Sequence, residues 1–151
     1  MQVKDIMSRS VKTVSPDTRL IEVVSLMCLY RYSGIPVVEG GKLIGIISEK
    51  DVLHSLLPSL EDLMDNMSTI DFDALMKNYG SVVKKTVADL MTHKVMTVSP
   101  DMHILKAASV MAGNRFRRIP VASGGELVGM LSLGDVHKAI FHANITANLS
   151  V

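Results

Sequence analysis

Tryptophan is absent from this chain, phenylalanine and tyrosine occur three times each, and there is a single cysteine, Cys28. One cysteine cannot form an intrachain disulfide, and Cys28 lies in an apolar helical pattern, so it reads as a small buried hydrophobe in a reducing compartment. No stretch approaches eighteen uninterrupted apolar residues, and the opening MQVKDIMSRSVK lacks the apolar centre of a secretory signal. A cytoplasmic protein without membrane association is the expectation. Charge of either sign is not in excess: 16 Lys plus Arg against 15 Asp plus Glu leave +1, which offers no long-range field for nucleic acid or an anionic surface. Catalytic signatures are missing too. The chain has no G-x-G-x-x-G, HExxH or CxxC, and VEGGKLIG lacks the spacing of a phosphate-binding P-loop. Its five histidines (54, 93, 103, 137 and 142) are scattered, and Ser132 has no elbow motif or neighbouring triad partners. Neither an enzyme nor a metal protein is expected, and no cofactor is required.

What the chain has is hydrophobic content, 48% against 21% charged, and repetition. TVSPD stands at residues 13–17 and again at 97–101; extended at a constant offset of 84, residues 3–53 align with 87–137 without a gap, and 22 of 51 positions are identical. The chain is an internal duplication. Each copy reads alike. A short β segment, VKTV or VMTV, runs into SPD, where Pro16 and Pro100 delay a helix that Asp17 and Asp101 are placed to cap. The first helix, about 18–31, gathers Leu20, Val23, Val24, Met27 and Leu29 on one broad face; its twin gathers Ile104, Ala107, Ala108 and Met111. IPVV or IPVA, a Gly-Gly turn and KLIGIIS or ELVGMLS then make a β-hairpin, and a second helix starts after Ser48 or Ser132. Methionines recurring at equivalent positions, Met7 with Met91 and Met27 with Met111, read as core filler. The predicted organisation is one β-α-β-β-α unit over 1–57, a helical connecting segment over 58–86, a second unit over 87–143 and a tail over 144–151 that loses periodicity. A unit of about 50 residues is too small to be comfortable alone, which favours packing the two copies about a pseudo-two-fold axis in an α+β fold.

The ordered set of DIM or DLM, TVSPD, IPV and a glycine-bearing strand running into S-x-x-D, given twice, resembles the cystathionine beta-synthase (CBS) domain. A tandem pair in one chain resembles a Bateman module. The resemblance implies a regulatory rather than catalytic protein, a homodimer, and a cleft between the copies for adenosine-containing ligands: AMP, ADP, ATP, NAD or S-adenosylmethionine. A separate effector protein would then receive the signal.

SEKD at 48–51 and SLGD at 132–135 have the spacing of a helix capping box, which satisfies free main-chain N–H groups without any ligand. The same geometry suits a phosphate and a ribose. By resemblance, Ser48 and Ser132 match the hydroxyl that faces a phosphate, and Asp51 and Asp135 match the ribose-binding acid. Ile46 and Met130 match apolar positions flanking the base. Tyr32, Ser33 and Gly34, with Phe116, Arg117 and Arg118, match a loop lining the cleft. Residues 8–11, including Ser10 and Val11, and 92–95, including Lys94 and Val95, match the stretch whose main chain meets adenine. The two loops differ, RYSG against RFRR, and Lys50 is replaced by Gly134. The arginines are either a solvated surface or a seat for additional phosphate. The rival to a nucleotide sensor is a dimerisation or partner-docking scaffold without a tight ligand.

Overall fold

The computed structural model describes residues 1–149. In chain order the elements are α1 (Val3–Ile6), α2 (Leu20–Tyr30), β1 (Gly34–Glu39), β2 (Lys42–Ser48) and α3 (Glu49–His54). The connecting segment holds α4 (Leu60–Asn66), a 3-10 turn (Met67–Thr69), α5 (Phe72–Met76) and α6 (Tyr79–Val82). The second copy follows with α7 (Val87–Leu90), α8 (Ile104–Gly113), β3 (Arg118–Ser123), β4 (Glu126–Ser132) and α9 (Leu133–Leu149). No helix among the described residues is long and apolar enough to cross a membrane.

Two β-α-β-β-α units are present, with the first β element of each reduced to one residue. Val14 bridges Val37 and Val98 bridges Val121, both in parallel. The proline two residues later ends each extended segment. Residues 15–18 form a turn in which the Thr18 N–H donates to the Ser15 carbonyl, so α2 begins at Leu20 with Arg19 before it. Asp17 and Asp101 are therefore not the caps that the sequence suggested. In the second copy the His103 ring takes that role, its Nδ1 accepting from the Leu105 N–H at 3.1 Å, while Asp101 pairs with Lys4 at 2.9 Å. Helix α2 is capped by Arg31 in the left-handed region at φ 56°, and Arg115, one residue beyond the α8 cap Asn114, takes the same conformation at φ 59°. The hairpins turn on Gly40–Gly41 and Gly124–Gly125, all four at positive φ, as a tight two-residue turn requires.

Leu20, Val23 and Met27 are buried, but Leu29 is 75% exposed and Cys28 is also exposed. At 100° per residue Leu29 lies opposite Leu20 on the helix, so including it in the buried face was an error of phase. Over residues 144–149 the tail is also more regular than expected; 150–151 lie outside the described residues. Helix α9 continues to Leu149, with the side chains of Asn144 and Thr146 donating to the carbonyls of Ile140 and His142 four residues back. The repeat-paired Met7, Met27 and Met111 are buried as filler, whereas Met64, Met67 and Met76 of the connecting segment are exposed.

The compact units do not follow the repeat boundaries. One unit gathers Met1–Lys12, Gly40–Leu43 and the chain from Met96 on; the other gathers Thr13–Glu39 and Ile44–Val95. Each therefore joins the leader of one copy to the α-β-β-α body of the other. Val3 and Met7 of the first leader are buried with Ile104, Met111, Ile119 and Leu131. Val87 of the second leader is buried with Leu20, Val23, Ile35 and Ile47, together with Val82 from the connecting segment. Main-chain bridges hold each leader to a strand: Thr92 and Ile46 exchange bonds of 2.8 and 3.0 Å, and Ser8 and Met130 exchange two of 2.9 Å.

A glycine in each strand permits this approach. A Cβ on Gly45 would stand 2.8 Å from the Thr92 carbonyl oxygen, and one on Gly129 would stand 2.8 Å from that of Ser8 and 2.7 Å from Met7 Sδ. Gly80, in α6, has nothing within 4 Å of such an atom.

Two outcomes follow for stability. Gly45→Ala and Gly129→Ala are each expected to lower unfolding free energy by about 1–3 kcal/mol in chemical denaturation, as overpacking does, while Gly80→Ala causes no loss. In α7, hydrogen bonds from the Thr86 main chain and then its hydroxyl hold the exposed Asp89 carboxyl below its ordinary range. Its stabilising contribution is thus present above the ordinary carboxylate pKa and is lost as pH falls through the lowered value. Asp89→Asn should flatten that acid limb in a plot of unfolding midpoint against pH.

Candidate functional site

Ser48 ends β2 in an extended conformation and caps α3. Its main-chain N–H and its hydroxyl both donate to Asp51 Oδ2 at 2.9 Å, and the Asp51 N–H donates back to Ser48 Oγ at 3.2 Å. The capping expectation is met in full. In the second copy the Ser132 N–H donates to Asp135 Oδ2 and the Asp135 N–H donates to Ser132 Oγ, both at 2.9 Å. All four side chains are half-buried.

Each pair has a leader beside it, within one compact unit. Thr92, bridged to Ile46, donates its hydroxyl to Asp51 Oδ1 at 3.0 Å. Beyond Thr92 the chain runs through exposed Lys94 and half-buried Val95; beyond Ser8, bridged to Met130, it runs through exposed Ser10 and half-buried Val11. Among the described residues, the N–H and carbonyl groups of Ser10, Val11, Lys94 and Val95 have no hydrogen-bond partner in the protein. Exposed edges of main chain like these can hydrogen-bond a planar heterocycle, with Ile46 or Met130, half-buried on the adjoining strand, as apolar surface.

The loops that precede the hairpins meet the same helix starts. The Glu49 N–H donates to the Ser33 carbonyl and the Leu133 N–H to the Arg117 carbonyl, both at 3.0 Å. Tyr32 is half-buried and stacks on Tyr30 with ring centroids 5.7 Å apart, and Gly34 opens β1. Phe116, Arg117 and Arg118 are exposed, Arg118 as the first residue of β3. Of the first three amides of α9, those of Leu133 and Asp135 are taken, and the Gly134 N–H has no partner among the described residues. Gly134 carries no side chain to cover that donor, and α9 is 17 residues long, so its start can attract an anion.

The structure thus brings Ser48, Asp51, Ile46 and Ser33 together with the second leader, and Ser132, Asp135, Met130 and Arg117 together with the first. The hydroxyl of Thr92 was not singled out by sequence; a Ser or Thr at the bridge position of each leader was the available signal. Among the described residues no group of three or more His, Cys, Asp or Glu could hold a metal ion.

A family model described as CBS domain matches residues 3–58 and 87–142. The uncharacterized protein MJ1426 of Methanocaldococcus jannaschii is 36% identical, with 93% of this chain and 91% of that protein aligned. YhcV of Bacillus subtilis, a CBS domain-containing protein, is 30% identical over 89% of this chain and 81% of its own. The crystal structure of Arabidopsis thaliana CBSX2 in complex with AMP superposes with a TM-score of 0.72 at 26% identity, covering 95% of this chain and 98% of that one.

Removing the caps tests the structural half of this geometry. Ser48→Ala and Ser132→Ala should each cost about 0.5–2 kcal/mol of stability in denaturant unfolding, the usual range for a lost N-cap.

Proposed function

Because the chain belongs to the CBS-domain family, with one domain in each repeat, we propose that it is a regulatory module that binds adenosine-containing ligands and acts on a separate protein. The observation that carries this reading is the pairing, in both copies, of a half-buried Ser-x-x-Asp turn with a leader whose main chain is unpaired beside it. Asp51 and Asp135 accept from the ribose hydroxyls. The main chain of Ser10 and Val11, or of Lys94 and Val95, meets the base against Met130 or Ile46. Ser48 and Ser132 face phosphate, and Arg117 and Arg118 make the second copy the better seat for additional phosphate. Tyr32, Ser33, Gly34 and Phe116 line the approach. CBSX2, of similar fold and bound to AMP, favours an adenylate among AMP, ADP, ATP, NAD and S-adenosylmethionine.

Signalling requires that the ligand favour one conformation of the protein over another. A cytoplasmic homodimer that hands this change to an effector is the assembly proposed. The exposed Leu60, Met64, Met67, Phe72 and Met76 of the connecting segment support a contact surface there and give weight to the scaffold reading as well.

Calorimetry on ligand-stripped protein separates the two. Titration with AMP, ADP, ATP, NAD and S-adenosylmethionine should give micromolar binding of at least one with a defined stoichiometry, and Asp135→Ala should abolish or weaken one binding event. No heat with any of them transfers the weight to the scaffold.

A further inference from the structure

The two candidate sites differ in how much of their carboxylate is already used. A carboxylate offers about four lone-pair positions. On Asp51, Oδ2 accepts from both the N–H and the hydroxyl of Ser48, and Oδ1 accepts from Thr92. On Asp135, Oδ2 accepts only from the Ser132 N–H, and Oδ1 accepts from no group among the described residues. A ribose that presents two hydroxyls needs two acceptor positions. Asp135 supplies them with its existing bonds intact, whereas Asp51 must release one.

The residues that cause this difference are equivalent in the repeat. Thr92 and Ser8 hold the same main-chain bridge, to Ile46 and Met130 respectively, yet only the Thr92 hydroxyl reaches its aspartate. Threonine is β-branched and has few χ1 states, so its hydroxyl stays aimed once the bridge forms; serine at the same position is free to turn to water.

We propose that Thr92 is a positioning residue that occupies Asp51 and lowers the affinity of that site for a vicinal diol, so that the first adenosine-containing ligand binds at Asp135. The inference rests on the proposed ribose role of the two aspartates. Exchanging a protein hydrogen bond for a ligand one at an exposed side chain corresponds to about a three- to tenfold difference in affinity.

The test is a calorimetric titration of the whole chain with AMP, repeated with 2′-deoxy-AMP, on the wild type, Thr92→Val and Ser8→Thr. Each variant is compared with the wild type at the same site, which cancels the contribution of Arg117 and Arg118 to phosphate binding. Two AMP events are expected. Thr92→Val should tighten the weaker one about three- to tenfold and leave the stronger unchanged, while Ser8→Thr should weaken only the stronger one. With 2′-deoxy-AMP, which needs one acceptor fewer, both effects should shrink, a response that general loosening of the leader would not produce. Two events unmoved by either variant, or an Asp51 event weakened by Thr92→Val, overturn the proposal while the nucleotide reading stands. No AMP heat in the wild type overturns the proposal, and no heat with any of the five ligands overturns the nucleotide reading as well.

Discussion

The candidate sites depend on a close main-chain approach that only glycine allows. Each leader lies across a strand at Gly45 or Gly129, where any Cβ would stand under 3 Å from a carbonyl oxygen. That approach lets a bridge form at the residue after the glycine, Ile46 or Met130, and the bridge fixes where the leader runs next. It also decides ownership. The leader of one copy completes the unit built on the body of the other, so a site inside one compact unit uses residues far apart in sequence, as Asp51 and Thr92 are. The buried Val3 and Val87 anchor the same leaders from the core side, which links the stability of the unit to the geometry of the site.

The second constraint is the double use of one motif. Ser-x-x-Asp satisfies the first turn of a helix through its amides and hydroxyl, and leaves part of a carboxylate facing outward. How much is left depends on neighbours outside the motif. Thr92 takes a further position on Asp51, and nothing takes the equivalent position on Asp135. Around these aspartates the copies have also diverged, with arginines and Gly134 beside one and a serine loop and Lys50 beside the other. A duplicated unit thereby presents two chemically unequal seats on one backbone plan.

The repeat, the hairpins and the Ser-x-x-Asp turns were legible because each is encoded locally, by identical residues at a fixed offset, by paired glycines and by capping spacing. The exchange of leaders was not. DIM and DLM are so alike that sequence does not say which body either one packs against. Helix faces were legible up to phase, which is why Leu29 and Cys28 were assigned inward although they point to solvent. The short leader helices escaped notice, yet Thr86-x-x-Asp89 has the same capping spacing as Ser48-x-x-Asp51 and would have revealed one. The extension of α9 is not legible because apolar periodicity fades after the last buried turn, while the Asn144 and Thr146 side chains bond back to carbonyls four residues earlier. The Ser or Thr at each leader's bridge position is visible in the sequence, but that Thr92 reaches Asp51 is not, because the two are 41 residues apart.

The most direct measurement of the central claim, that the leaders and the Ser-x-x-Asp turns together receive an adenylate, is amide hydrogen exchange with and without saturating AMP. The account predicts slowed exchange in residues 8–12 and 92–96, whose amides are unpaired around Val11 and Val95, together with 132–135. Protection confined to the connecting segment at 58–86, or none at all, would contradict it.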